Sequence, residues 1–179
     1  TLKETNFNTF FSRRYKKLGY TFFGGYNYRK AVDVNHDGLS DVPDLNGLVI
    51  HPRIFWYPDN KTTVTTGFTG TYEVRNGGDM VVLEGRPDAI HQYFEKNTTK
   101  RNSFELTAQR KITEKNSIEF KSSLSAFNRN ISSNEINFTG RQMNYFTELS
   151  LLQNFKKGNL VTGINVTGEQ FKKITQNIP

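Results

Sequence analysis

A segment rich in Asp and Asn, Ala31 to Asp44, has the residue types and the spacing that could bind a metal ion. Counted from Asp33, its oxygen-bearing side chains fall at relative positions 1, 3, 5, 9 and 12, with Gly38 at position 6, as in a twelve-residue calcium loop. Ca²⁺ prefers about six to eight hard oxygen ligands, and ligands on alternate residues of a tightly turning backbone all point inward. The predicted calcium ligands are Asp33, Asn35, Asp37, Asp41 and Asp44, with the backbone carbonyl of Leu39.

This Asp-rich loop has an alternative explanation. Asp44 stands where such loops usually carry the longer Glu, and no helices are predicted on either side, so a helix–loop–helix calcium site is not expected. Asn and Asp side chains also accept hydrogen bonds from nearby backbone N–H groups and stabilise turns without a metal. The sequence leaves both explanations open: a calcium site in a β-rich context, or a loop held by its own turns.

A second segment, from residue 75 to residue 100, mixes apolar, aromatic and basic side chains in one long connection. Long loops on a rigid scaffold are frequent places for recognition. The predicted ligand-binding residues are Met80, Arg86, His91 and Tyr93. In the alternative explanation, the apolar run from Met80 to Leu83 packs into the mouth of a barrel or forms a short strand.

Catalytic chemistry is not predicted. The three histidines, His36, His51 and His91, lie far apart in the sequence and show no metal-ligand spacing. There is neither a Gly-x-Ser-x-Gly elbow nor a phosphate-binding loop. Because the chain has no Cys, a thiolate nucleophile, a thiolate metal site and a disulfide are excluded. We therefore expect no catalytic residues and no enzyme.

Strands with alternating side chains must position these loops. From Tyr20 to Arg29, aromatic residues and glycines alternate with polar residues, and the period of two returns along most of the chain. The same alternation occurs in segments 46–57, 62–74, 104–109, 118–126, 145–151 and 160–166. With a less regular first strand, about eight strands are predicted, many of them near the roughly ten residues of a membrane-spanning strand.

Short and long connections alternate between these strands. Tight turns rich in Pro, Asp, Asn, Gly and Lys are predicted near residues 15–18, 58–61, 113–116 and 154–158. Longer loops are predicted at about 31–45, 75–100 and 129–141. In an up-and-down antiparallel sheet, alternate connections lie at opposite ends, so the short turns share one rim and the long loops the other. Bacterial outer-membrane barrels show this asymmetry, with short periplasmic turns and long extracellular loops.

Composition narrows the class of protein further. Hydrophobic residues make up 35% of the chain and the mean hydropathy is −0.65, so no stretch approaches the roughly 18 apolar residues of a membrane-spanning helix. Lipid-facing strands stay possible, because their side chains alternate. The net charge is +7, but the basic residues are scattered over strands and turns and follow no nucleic-acid-binding motif. We therefore predict no nucleic-acid partner.

Four stretches of the sequence together resemble the barrel of TonB-dependent outer-membrane receptors. They are PRIFWYPDNKTTVTTGFTGTYEVRNGGDM, HQYFEKN, FELTAQRKITEKNSIEFKSSLSAFNR and MNYFTELSLLQNFKKGNLVTGINVTGEQF. The resemblance covers nearly the whole chain. It lies in the pattern of strands and turns along the sequence. In particular, the chain looks like the middle of the barrel in receptors for siderophores, cobalamin and glycans.

The resemblance implies an all-β fold: an antiparallel up-and-down transmembrane β-barrel of about 22 strands. Residues 1–179 would form one β-barrel segment of about eight strands, located in the bacterial outer membrane and surrounded by its lipid. The implied function is active uptake of a bulky nutrient, with a small-molecule or glycan ligand at the long loops. The family's plug domain and coupling box have no matching residues here. The energy-coupling TonB protein is therefore an expected partner through a part of the receptor outside this chain.

Two alternatives remain open from the sequence. The first is a soluble β-sandwich binding module with a structural calcium loop, in which the apolar faces of two sheets meet. The second is a complete small outer-membrane barrel of about eight strands, a number that permits closure. The apolar face separates these possibilities, since it faces lipid in a barrel and a second sheet in a sandwich. Accessibility of Ile54, Phe68 and Leu149 is the discriminating observation.

Overall fold

The computed structural model describes residues 4–177 and contains eight β-strands and one helical turn. The elements are β1 (Glu4–Arg14), β2 (Leu18–Arg29), β3 (Asp44–Asp59), β4 (Thr62–Gly78), α1 (Met80–Leu83), β5 (Phe94–Lys111), β6 (Asn116–Ser133), β7 (Asn137–Phe155) and β8 (Gly158–Asn177). The strands lengthen along the chain, from 11 residues in β1 to 20 in β8. The predicted all-β fold is confirmed.

All eight strands lie in one sheet, in chain order, and every neighbouring pair is antiparallel. This confirms the predicted up-and-down arrangement. Within residues 4–177 there is no second sheet to form a sandwich, and β1 does not pair with β8 to close an eight-stranded barrel. Both outer strands therefore present an unpaired edge in this part of the chain.

The pairing register places the predicted apolar side chains on one face. Phe68 of β4 pairs with Phe104, Phe104 with Leu124, and Leu124 with Tyr145 of β7, so the four side chains form a row across four strands. We call this side the apolar face and the opposite side the polar face. The agreement between alternation and register follows from the two-residue period of a strand, because a slip of one residue would move every side chain to the other face.

The apolar face has no cover. Leu45 is the one buried hydrophobic side chain among residues 4–177. Leu124 is 50% exposed and Leu149 is 45% exposed, although both lie in the middle of central strands. The chain exposes 12614 Å², compared with about 8,900 Å² for a compact monomer of this mass. The sheet therefore forms no hydrophobic core of its own.

The connections lie at two ends of the sheet. Residues 15–17, 60–61, 112–115 and 156–157 form short turns at one end, which we call the turn end, at the places predicted from the sequence. The opposite loop end carries the two long loops 30–43 and 79–93. The predicted long loop 129–141 is wrong, because β6 and β7 extend through most of it and leave the three-residue turn 134–136.

The segment Met80–Leu83 is one turn of α-helix, not the short strand considered from the sequence. The backbone N–H groups of Val82 and Leu83 both donate to the carbonyl of Asp79, at 3.1 Å each.

Within residues 4–177 no helix has the length and apolar character required to cross a membrane.

Candidate functional site

The Asp-rich loop folds as a set of nested hydrogen-bonded turns. The carboxylate of Asp33 accepts the backbone N–H of His36 at 2.6 Å and that of Gly38 at 2.9 Å. Asp37 accepts the backbone N–H of Leu39 at 2.8 Å. His36 and Gly38 have φ angles of 62° and 89°, a left-handed conformation that the carboxylate hydrogen bonds support.

The two later carboxylates close the loop. Asp41 accepts the backbone N–H of Val34 at 2.7 Å, and Asp44 accepts that of Ala31 at 2.5 Å. Between them, the backbones of Val32 and Val42 form an antiparallel bridge. Each predicted carboxylate ligand thus receives a hydrogen bond from the loop's own backbone. The alternative predicted from turn chemistry is present in the structure.

The calcium prediction stays a prediction. Desolvation raises the pKa of the Asp33 carboxyl, but the backbone N–H groups of Gly38 and His36 more than offset it, so the pKa lies below its ordinary value. Asp33 is therefore ionised at neutral pH, as a Ca²⁺ ligand must be. In the part of the chain that the structure describes, no three His, Asp or Glu side chains converge in a geometry that holds a metal ion.

Asp79 organises the second long loop. It is buried, with 8% exposure, directly after the last residue of β4. Its backbone N–H donates to the carbonyl of Tyr93 at 2.9 Å, and its carboxylate accepts the backbone N–H of Tyr93 at 2.7 Å. These two bonds close the loop over residues 79–93 at its base. Sequence reasoning missed Asp79; an acidic residue after the Gly77–Gly78 pair at a strand end was the available signal.

The two long loops are hydrogen-bonded to each other. The backbone N–H of Met80 donates to Gly38 O at 2.9 Å, and the backbone N–H of Ser40 donates to Gly78 O at 2.9 Å. The Ser40 hydroxyl accepts the backbone N–H of Gly78 at 2.9 Å. Leu39 and Asp79 form an antiparallel bridge between the loops. The Asp-rich loop and the helical turn are therefore one structural unit at the loop end.

The turn between β6 and β7 joins this unit. The Asn134 side-chain oxygen accepts the backbone N–H of Phe94 at 2.8 Å, and its amide nitrogen donates to the carbonyl of Gln92 at 2.9 Å. Asn134 therefore holds the point at which the second long loop enters β5. All three connections of the loop end are linked through backbone groups.

The predicted ligand-binding residues are only partly brought together. Tyr93 lines a cavity of about 310 Å³ with Ser40, Arg75 and Glu95. Met80 lines a different cavity, of about 440 Å³, with Tyr28 and Lys30 among its other residues. Arg86 forms a local ion pair with Glu84, and neither Arg86 nor His91 lines either cavity.

His91 forms a local pair with Asp88. Its Nδ1 lies 2.9 Å from Asp88 Oδ2. The hydrogen bond and the charge of Asp88 raise the pKa of His91 above its ordinary value. The backbone N–H of His91, its ring and the backbone N–H of Ile90 lower the pKa of Asp88 to about 2. Both groups are therefore charged together at mildly acidic pH, which stabilises this part of the loop.

The polar face carries ion pairs in the middle of its strands. Arg53 Nη2 lies 3.1 Å from Glu105 Oε2, across β3, β4 and β5. Lys121 of β6 lies between two carboxylates, 2.9 Å from Glu119 and 3.4 Å from Glu148. These side chains are partly exposed, from 26% to 47%. This face is therefore suited to contact with water and polar solutes.

Comparison with known proteins finds no match: no protein-family model, no curated protein and no solved structure is similar to this chain.

Proposed function

We propose that the chain is a segment of the barrel of a TonB-dependent receptor in the bacterial outer membrane, which takes up a bulky nutrient. The observation that carries the proposal is the uncovered apolar face of the sheet, opposite a face with ion pairs in mid-strand. A soluble protein covers such an apolar face, whereas lipid covers it in a membrane barrel. The polar face then lines a hydrated interior.

The height of the apolar band supports this placement. On β3 the exposed apolar side chains of this face run from Leu48 to Trp56, and on β7 they run from Met143 to Leu151. Eight residue steps span about 27 Å along a strand, or about 22 Å across the membrane at a strand tilt of 35°. This is close to the roughly 25 Å apolar band of outer-membrane barrels.

The band also runs obliquely to the hydrogen-bonded rows. It covers Leu48–Trp56 on β3 but Leu160–Val166 on β8. The row of Leu48 continues through Tyr72 to Lys172, well beyond the band on β8. From β3 to β8 the band therefore shifts toward the turn end by about four to six residues. Over five strand spacings, this shift inclines the band by roughly 30–40° to the hydrogen-bonded rows. Strands of membrane barrels tilt by about 35–45°.

The loop end supports a receptor. Hydrogen bonds through Asp79, Ser40 and Asn134 hold three neighbouring connections together at the rim of the polar face. Rigid loops at the mouth of a barrel are suited to binding a ligand before it passes along the interior. A siderophore, cobalamin or a glycan fits the proposed function, and the energy-coupling contact would lie in another part of the receptor.

Cysteine labelling tests the membrane placement, because the chain has no Cys of its own. Leu149→Cys and Ser150→Cys are neighbours on opposite faces of β7. In lipid vesicles, we expect a water-soluble thiol reagent to modify Cys at position 150 and to leave position 149 protected. Equal labelling at both positions, or a stable monomer without detergent, would falsify the membrane placement.

Transport is tested in cells. We expect deletion of the protein to abolish uptake of one nutrient from a panel of siderophores, cobalamin and glycans. Collapse of the inner-membrane proton gradient should abolish that uptake in the undeleted cells. Unchanged uptake of the whole panel after deletion would contradict the receptor function while leaving the membrane placement intact.

A further inference from the structure

The charges on the apolar face of β4–β8 are all cationic. In these strands the residues on this face that carry charge are Lys96, Lys100, Arg110, Arg141 and Lys172. The acidic residues of the same strands all lie on the polar face: Glu73, Glu95, Glu105, Glu119, Glu148 and Glu169. The segregation leaves the cations of the apolar face without carboxylates on strands β4–β8 of that face.

Three of these cations share one pairing row, which lies on the loop-end side of the apolar band on β5–β8. Lys100 pairs with Asn128, Asn128 with Arg141, and Arg141 with Lys172. On the side of β4 the row continues to Tyr72, whose ring lies 5.3 Å from Lys100 Nζ. The row therefore changes from aromatic to cationic between β4 and β5.

A cavity of about 500 Å³ opens beside this row. Its lining includes the cationic residues Lys96, Lys100 and Arg129 and the polar residues Asn128, Ser132 and Thr139. Cations and neutral hydrogen-bond donors are the groups that bind phosphate oxygens.

The cations at this place are available to a ligand. Lys96, Lys100, Arg141 and Lys172 are exposed. Within residues 4–177, none of the four takes part in a salt bridge. Four cations that form no salt bridge, on the loop-end side of an apolar band, match a molecule that has a phosphate head and acyl chains.

We propose that the apolar face of β5–β8 binds a phosphorylated membrane lipid, with its phosphate on Lys96, Lys100, Arg141 and Lys172 and its acyl chains along the apolar band. This proposal rests on the proposed membrane placement. Lipid surfaces attract each nearby Lys or Arg by about 1 kcal/mol, and the long side chains of Lys and Arg reach from the edge of the band to the headgroups. On β2–β4 the same row holds Tyr26, Leu48 and Tyr72 and no cation, so the lipid site lies on the half of the sheet formed by β5–β8.

The test compares two double variants of the protein in nonionic detergent micelles. K100Q/R141Q removes two cations from the apolar face, and R101Q/K173Q removes one Arg and one Lys from the polar face, each one position from the row of Lys100. Binding of phosphatidic acid, phosphatidylcholine and inorganic phosphate is measured by native mass spectrometry and by titration. We expect K100Q/R141Q to weaken phosphatidic acid binding about 30-fold and R101Q/K173Q to weaken it less than about 3-fold.

The outcomes separate this proposal from the membrane placement. Preference for phosphatidic acid over phosphatidylcholine, lost in K100Q/R141Q alone, supports the lipid site. Equal binding of the two lipids overturns it, even if Leu149→Cys is protected in vesicles. The lipid site is also overturned if inorganic phosphate displaces phosphatidic acid at a concentration similar to that of the lipid, since the site would then bind a soluble anion. If each variant has the circular dichroism spectrum of the wild type, its loss of lipid binding does not come from a loss of folding.

Discussion

The two faces of the sheet are built from the same strands but are suited to opposite surroundings. On β7, Leu149 lies exposed on the apolar face and its neighbours Glu148 and Ser150 lie on the polar face. In a water-soluble sheet the apolar face is the one that is covered by protein. Here the polar face has ion pairs in the middle of its strands, whereas Arg110 of the apolar face forms its ion pair at the turn end, with Asp59. This difference is the basis of the proposed membrane placement, in which lipid covers the apolar face.

The comparison also extends along the strands. At the middle of the sheet the faces differ in hydropathy, and towards the loop end of β4–β8 they differ in charge, because the apolar face carries cations alone and the polar face carries both signs. Lys100 and Arg101 are neighbours in β5, yet one lies over Tyr72 on the apolar face and the other lies 5.1 Å from the ring of Phe127. Side-chain alternation therefore confines the carboxylates of β4–β8 to the polar face, while cations lie on both faces.

The largest expected effect comes from a charge in the middle of the apolar face. We expect Leu149→Lys to lower the free energy of unfolding in lipid vesicles by about 2–4 kcal/mol, because the ammonium group would lie in the hydrocarbon. Ser150→Lys is the matched control: it pairs across the strand with Glu119 and should change stability by less than about 0.5 kcal/mol. Urea unfolding followed by tryptophan fluorescence measures both. Equal losses of stability in the two variants would contradict the assignment of one face to lipid and the other to water.

A somewhat smaller effect is expected at the base of the linked loops. Gly78 has a φ of 125°, and a Cβ there would collide with the carbonyl oxygen of Tyr93. We expect Gly78→Ala to cost about 2–3 kcal/mol and to expose the second long loop to proteolysis. Gly85→Ala, at a φ of 75° with open space around it, carries the backbone strain without the collision and should cost about 1 kcal/mol. A wild-type digestion pattern in Gly78→Ala would show that the loops do not depend on each other.

The ion pairs of the polar face contribute less. Lys121→Gln leaves the carboxylates of Glu119 and Glu148 without their shared cation. Because all three side chains are partly exposed, we expect a loss of about 1 kcal/mol, decreasing in high salt. Stability measured at low and high ionic strength checks this. A loss that does not depend on salt would mean that packing, and not charge, orders the polar face.

The smallest expected effect concerns the Asp-rich loop, at the loop end of the sheet. If it binds Ca²⁺, millimolar calcium raises the melting temperature by about 2–4 °C relative to chelator. Asp37→Asn should abolish this rise, and Asp88→Asn, in the neighbouring loop, should retain it. Identical melting of the wild type in calcium and in chelator would leave the hydrogen-bonded turns as the complete explanation of the loop.

Much of the fold follows from local patterns. The alternation around Tyr26, Leu48 and Phe120 predicts strands and assigns each side chain to a face, because a strand repeats every two residues whatever its partner is. The tight turns around Asp59 and Gly158 are also local, since Asp and Gly favour turn conformations by themselves. These predictions needed no knowledge of the neighbouring strands.

Other features escaped prediction because they depend on contacts between distant segments. Residues 129–133 are mostly polar, which predicts a loop, but pairing with β5 and β7 holds them in β6. For Met80–Leu83 the sequence leaves a short strand open as one explanation, but the segment is a helical turn, because the Asp79 carbonyl accepts two of its N–H groups and the Gly38 carbonyl accepts that of Met80. A backbone partner overrides a weak local preference.

The sequence by itself determined the strands, the short turns and the two faces, since each depends on residues that are adjacent or two apart. Only the tertiary structure decided the register, and with it the oblique apolar band, the row that joins Lys100 to Lys172 and the links from Asp79 and Ser40 between the loops. The physical reason is that pairing between strands joins residues that can be many positions apart, so their common height on the sheet cannot be read from one segment alone.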